Sequence, residues 1–446
     1  MKINIHWRYI PVLVSLSGYI GIGYFTPREN YLLLFSLYFL LFTSFLVLIN
    51  QRLKPFSIKT LIGLALFFRL ILLFCYPALS DDYYRFIWDG QLISHGLNPF
   101  GYLPDDIYPV QTSGIPLADT LFSHLNALQK GNYTCYPPFN QLFFFLAAFL
   151  YPEDIPGNVL ALRLFILLAE TGTIIYGVKT LNLLGRNESN ILLYALNPLI
   201  IIELTGNLHF EAVMIFFLVL GLYLWVKNKY SLAALAAGMS ASVKLITLLT
   251  IPFFMKKYSL KDQIIFVIVS ITSFIVLLCP VFLSNHQASF FSTVALYSHN
   301  FQFNSSILSL LRQGVLQISG LDLLFVFGPL LTILSLLFIS AIFFFRENKQ
   351  PIIALESILF ALSIYYFLAT TVHPWYLSTL VIMSVFTRFM YPVVWSLVVI
   401  LSYYSYSNPD FAENYFLIFV EYATVCLFFL YEVYLKKKGQ KIIHPV

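Results

Sequence analysis

The sequence predicts an all-α polytopic membrane protein, and three observations predict it. Apolar runs of about 20 residues recur from end to end, each long enough to cross roughly 30 Å of hydrocarbon as a helix. Of 446 residues, 59% are hydrophobic and 11% charged, with a mean hydropathy of +0.81; in soluble domains charged residues approach ~25%. The runs are continuous rather than alternating, which excludes an outer-membrane barrel, and the 18% of aromatic residues excludes disorder. At roughly 20 residues per crossing, the chain holds about thirteen or fourteen transmembrane helices.

The basic residues assign sides to these crossings. With the N-terminus inside, Lys2 and Arg8 precede a first span near 9–25, which reads as a retained helix because no small-residue cleavage site follows it. Residues 31–48 return the chain to a turn marked by Arg52, Lys54 and Lys59, and residues 60–79 cross outward. The later basic connections are Lys179 and Arg186; Lys227 and Lys229; Lys256, Lys257 and Lys261; Arg346 and Lys349; Arg388; and Lys436, Lys437, Lys438 and Lys441. Residues 139–150 are too short to cross and read as re-entrant. Parity makes residues 231–255 a hairpin of two short helices with its outer tip at residues 242–244. The net charge of +5 is scattered, so nucleic acid is not a partner. Four widely separated cysteines have no metal or redox spacing and read as packing residues.

Polar residues collect on the outer face. The longest hydrophilic stretch, residues 80–137, holds Asp81, Asp82, Asp89, Asp105, Asp106 and Asp119 against only Arg85 and Lys130. A connection this long is functional or disordered, and its aromatics favour packing, so short amphipathic helices on the membrane surface are expected there. Three clusters return to the same face: Asn207, His209 and Glu211; His299, Asn300, Gln302 and Asn304; and His373, Trp375 and Tyr376.

The run from Ser80 to Gly90, SDDYYRFIWDG, followed by Gly96-Leu97-Asn98-Pro99-Phe100, resembles the first external loop of GT-C-class glycosyltransferases of the bacterial polyprenyl-phosphate-mannose-dependent mannosyltransferase type. Tyr136-Pro137-Pro138, Asn197-Pro198 with the following Gly206-Asn207-Leu208-His209-Phe210-Glu211, Lys244, and His373-Pro374-Trp375-Tyr376 extend the resemblance over roughly residues 60–400. Glu211 stands where this type has Asp. The resemblance implies a GT-C-like bundle with a catalytic core at residues 60–406, two flanking helices at 1–59, and a last helix and basic tail at 407–446.

Transfer of a sugar from a lipid phosphate needs a carboxylate to take the acceptor's proton and cations to stabilise the departing phosphate. The resemblance aligns Asp82 with the family's loop acid, which makes it the candidate general base, with Asp81 its competitor. Repulsion between the two should raise one pKa, whereas the plainer reading is that they cap a helix starting at Tyr83. Arg85, Lys244, His373 and Arg312 are the candidates for donor phosphate. Arg85 could instead pair with a carboxylate one turn away, and Lys244 could snorkel to the interface. Asp89, Asn98, His209, Glu211, Trp375 and Tyr376 are the candidates for substrate contact. Their alternatives are an Arg85 partner for Asp89, a turn at Asn98-Pro99, a first-turn carboxylate at Glu211 and an aromatic anchor at Trp375 and Tyr376. Arg69 and Arg163, which interrupt apolar runs, are expected to pair with Glu170, Glu203 or loop acids.

The function that follows is transfer of a hexose, mannose by resemblance, from a polyprenyl-phosphate donor to a glycan or glycolipid hydroxyl, with inversion. No metal is required on this reading, although Mg²⁺ or Mn²⁺ would suit oxygen ligands if the acids converged. The expected location is the bacterial inner membrane with an extracytoplasmic site. The alternative is a transporter or flippase of lipid-linked oligosaccharide, which should place its ionisable groups at the midplane between repeats.

Overall fold

In the computed structural model the chain is described at residues 5–50, 52–53, 56–283, 287–299 and 301–440. Lys2, Lys54, Asn300 and Lys441 lie outside the described residues, as does the side chain of His299. Among the described residues six helices are long and apolar enough to cross a membrane: Tyr31–Ile49, Ile155–Leu183, Leu260–Val281, Leu324–Phe345, Pro351–Leu368 and Tyr415–Lys437. Glu188–Ala195 and Ile200–Gly206, bent by 61°, make a seventh if counted as one span. The remaining expected crossings fall on apolar helices of 10–17 residues such as Glu211–Val226, Tyr230–Val243 and Pro374–Phe386, so the crossings counted by length are fewer than the apolar runs. Broken helices are tolerated at membrane depth where the protein itself satisfies the freed backbone groups. The long helices turn Leu32, Phe39, Phe325, Ile333, Leu337, Phe416, Phe419 and Leu427 outward. Such patches would drive aggregation in water but match hydrocarbon, so the protein is multi-pass and integral to the membrane.

Two buried arginines explain how the bundle holds its breaks. Arg163 donates to the carbonyls of Thr205 (2.9 Å), Gly206 (3.0 Å) and Leu73 (2.8 Å), and so satisfies the open end of the π-helical turn Ile200–Gly206. The expected carboxylate partner for Arg163 is thus replaced by backbone. Arg69 does meet its acid: it donates to Glu170 from Nε and Nη2 (3.0 and 2.6 Å) and to the carbonyls of Ala65 and Ala195, all within the core.

The basic connections share one end of the molecule. Arg346 and Lys436 both pair with Glu356, near the start of the Pro351–Leu368 helix, while Lys256 donates to the carbonyls of Phe343, Phe344 and Arg346. The other end of that helix runs into Thr370 to His373. Eighteen residues at 1.5 Å each separate the two polar ends by about 27 Å, close to the thickness of a hydrocarbon core.

Residues 80–137 fold into four helices: Asp82–Ser94, Pro104–Ile107, Ala118–His124 and Ala127–Lys130. The first is not a surface helix, because every residue from Arg85 to Leu92 is buried. It packs on Pro138–Leu150, with Phe86 stacked on Phe144 (centroids 4.5 Å apart). Gly90 is pressed so close that a Cβ would lie 2.3 Å from the Phe144 carbonyl oxygen, so no other residue fits there. The flanking segments do not sit apart from the core either: Tyr38 donates to the Ser396 carbonyl, and Tyr422 on the last helix donates to that of Asn304.

Candidate active site

Asp81 and Asp82 are separated by their partners. Arg28, in the connection after the first helix, binds Asp81 at 2.6 Å and lies over the Tyr406 ring. Asp81 therefore makes no side-chain cap; the Ser80 hydroxyl accepts from the Asp82 N–H instead. One carboxylate oxygen of Asp82 accepts from the side-chain amide of Gln129 at 3.3 Å. That amide is fixed by a capping box, in which Asn126 N–H donates to Gln129 Oε1 and Gln129 N–H to Asn126 Oδ1. Burial pushes the Asp82 carboxyl above its ordinary range; His209 pulls it back, Asp81 and Glu211 add to the rise, and Lys244 opposes it. Burial, rather than repulsion from Asp81, is thus the main cause.

His209 and Glu211 arrive beside Asp82 because the span is broken there. The π-turn ends at Gly206, and the buried Leu208 adopts a left-handed backbone at φ +64°, a strained conformation that the surrounding core has to hold. Asn207 donates to Glu203 (3.2 Å), and its side-chain oxygen accepts from the Leu79 N–H (3.1 Å), which ties the start of the long loop to the break. Glu203 also accepts from the Tyr403 hydroxyl and approaches His209 Nε2 at 3.5 Å. Glu211 opens the next helix, where a carboxylate is favoured by the unpaired N–H groups.

The distant histidine segment reaches the same place. His209 stacks on Trp375 (3.8 Å, 14°), Trp375 on His373 (4.4 Å, 3°), and His373 on Phe303 (4.8 Å, 26°). Trp375 therefore spaces two imidazoles rather than offering an open ring to a sugar. His209 Nε2 and His373 Nδ1 are buried without a hydrogen-bond partner, which is costly unless a ligand supplies one. Burial, with Lys244 and His209 nearby, holds the His373 imidazole down at about 3, so it stays neutral. Lys244 ends the Tyr230–Val243 helix in extended backbone at the hairpin tip. Its ammonium pairs with Glu211 and lies 3.7 Å from the centroid of the Tyr376 ring. Asn140 fixes that tip by donating to the Val243 carbonyl.

The structure thus gathers Asp82, His209, Glu211, Lys244, His373, Trp375 and Tyr376. Four other candidates stand elsewhere. Arg85 is buried and spent on Asp89 (2.8 Å) and on the carbonyls of Gln129 and Asn132, so it braces the loop rather than facing phosphate. Asp89 is fully enclosed, held by Arg85 and Gln141, so it cannot contact substrate. Asn98 accepts from the Phe100 N–H as a turn residue. Arg312 is matched by Asp322 at its Nε and Nη2 and by Gln302 at Nη1. Among the described residues no three His, Cys, Asp or Glu side chains form a metal-sized group.

Gln129, Arg28, Glu203 and Phe303 complete the site without having been candidates for it. Asn126-x-x-Gln129 was readable as a capping box, whereas Arg28 was visible only as a cation without an inner-side role. Phe303 is set by Asn304, whose N–H meets Glu413 and whose amide reaches Glu421 and the Val372 carbonyl. The sequence matches the family described as alpha-(1->6)-mannopyranosyltransferase, N-terminal domain, over residues 23–258. That stretch includes the Tyr31–Ile49 helix, Asp82, His209, Glu211 and Lys244, and stops short of His373. No curated protein matches the chain.

Proposed function

The chain belongs to this alpha-(1->6)-mannopyranosyltransferase family and is a membrane mannosyltransferase; from that premise we propose that it takes mannose from a polyprenyl-phosphate donor and places it on a hydroxyl of a glycan or glycolipid, with inversion. The acceptor hydroxyl oxygen attacks C1 of the sugar, the C1–O bond to phosphate breaks, and the acceptor's proton passes to Asp82. The phosphate leaves with the bonding electron pair, beside Lys244 and the imidazole of His373. If the new linkage is α-(1→6), as in the family's description, a single displacement requires a β-linked donor.

The observation that supports Asp82 as base is its division of labour with Asp81. Arg28 neutralises Asp81, while Asp82 is half-buried, raised in pKa and oriented by a single amide, which suits proton acceptance. The reaction needs no metal on this reading, because Asp81, Asp89 and Glu211 already face protein cations. The site lies at the end opposite the basic connections, in keeping with an extracytoplasmic location in a bacterial inner membrane. The transporter reading lacks comparable support, since the ionisable groups in the core, Arg69 and Glu170, are spent on each other, while Asp82, His209, Glu211, Lys244 and His373 gather beyond them.

The test is transfer by the purified chain from polyprenyl-phospho-mannose to an acceptor extract, in EDTA, followed as a gain of one hexose by mass spectrometry. Wild type should transfer and folded Asp82→Asn should not. Wild-type turnover by Asp82→Asn would remove Asp82 as base, and activity restored only by Mn²⁺ would remove the metal-free mechanism.

A further inference from the structure

A cleft of about 330 Å³ opens between the segment after the Ala127–Lys130 helix and the Gln287–His299 helix. Leu103, Asn132, Tyr133, Ser292, Thr293 and Leu296 line it. Its size falls in the ~300–1,000 Å³ range of small-ligand sites. None of the lining side chains is ionised. Beside apolar surface they offer the Tyr133 phenol and the side-chain oxygens of Asn132, Ser292 and Thr293 as acceptors, since Asn132 already donates to the Leu128 carbonyl and both hydroxyls to that of Ser289. That is the chemistry of a neutral polyhydroxylated ligand, whose ring faces pack on aromatic and aliphatic carbon while its edges exchange hydrogen bonds. A lipid phosphate would find no cation here.

The cleft is mechanically joined to the base. Its wall begins at Gly131 and Asn132, two residues after Gln129, the residue that orients Asp82. Arg85, one turn along the helix from Asp82, donates to the carbonyls of both Gln129 and Asn132. Asp89 and Gln141 in turn hold Arg85 in place. A ligand seated on Asn132 and Tyr133 is therefore registered against the same brace that sets the carboxylate.

We propose that this cleft is a secondary acceptor subsite for a neutral oligosaccharide, which grips sugar units behind the one that reacts. The proposal rests on the mannosyl-transfer reading, and its test separates the two. The probes are a mannose oligosaccharide of several units and methyl mannoside, each given to the full chain in detergent. Binding of the oligosaccharide is read without donor by saturation-transfer NMR, and transfer is read separately. Tyr133→Ala, which removes the ring, and Ser292→Trp, which fills the cleft from its exposed rim, should each weaken oligosaccharide binding and raise its KM by roughly 10-fold. The donor KM and the rate with methyl mannoside should stay at wild-type values. Binding of the oligosaccharide that is unchanged in both variants, or absent from wild type, would overturn the subsite. Wild type that binds the oligosaccharide yet transfers nothing from the donor would overturn the transfer reading and leave the cleft a sugar site.

Discussion

The Gln129 amide donates to Asp82 Oδ1 at 3.3 Å across 47 residues of chain, and its other end is already taken by the Asn126 N–H. The amide cannot swing away from the carboxylate without undoing the turn that carries it. Gln129→Ala should therefore lower kcat about 10-fold by releasing one Asp82 oxygen, with little change in donor KM. Steady-state kinetics checks this; a raised donor KM at unchanged kcat would place Gln129 in donor binding instead.

The pH profile should carry the mark of Asp82. Only the ionised carboxylate accepts a proton, so activity falls as pH drops through its pKa, and burial sets that acid limb above the position of an ordinary aspartate. The stability effect has the opposite sign. A carboxyl whose folded pKa exceeds its unfolded one contributes stability at low pH that is lost as pH rises through the folded value. Asp82→Asn should accordingly lose the acid limb along with activity and gain heat stability over wild type at about pH 8 but not at about pH 4. An acid limb at the ordinary aspartate position would contradict the burial argument.

Lys244 and Glu211 should separate kinetically. Lys244→Ala removes the cation nearest the departing phosphate and should raise donor KM and lower kcat. Glu211→Gln keeps the shape of the pair but frees the ammonium, so donor KM should fall or hold. Parallel losses in both variants would mean that the pair is needed only as a strut.

Arg69 and Glu170 give a stability test remote from the site. Arg69→Met leaves a buried carboxylate unpaired and should cost about 3–5 kcal/mol. Adding Glu170→Leu should restore most of that, short of about 1 kcal/mol for the Tyr194 hydroxyl, which now donates to Glu170. Thermal unfolding of the single and double variants in one detergent compares them.

Much of this was legible in the order of residues, and the rest fails for identifiable reasons. Continuous apolar runs gave the helical membrane class, and sidedness alone predicted that Asp82, His209, Lys244 and His373 share a face. The number of full-length crossings was not legible, because a span such as Ile200–Gly206 can stop midway only if Arg163 arrives to satisfy its carbonyls. Nor could spacing tell that Arg85 and Asp89 consume each other inside the loop, or that Trp375 lies between two imidazoles. Those depend on which neighbour reaches a side chain first, and the Phe144 carbonyl against Gly90 decides that for the whole loop helix.

The grip of the last helix on Asn304 has a bearing on biosynthesis. His373 is stacked on Phe303, whose neighbour Asn304 is secured by Glu413, Glu421 and Tyr422. A nascent chain that has not yet reached Glu413 lacks the contacts that secure Asn304, and with them the seat of the ring on which His373 stacks.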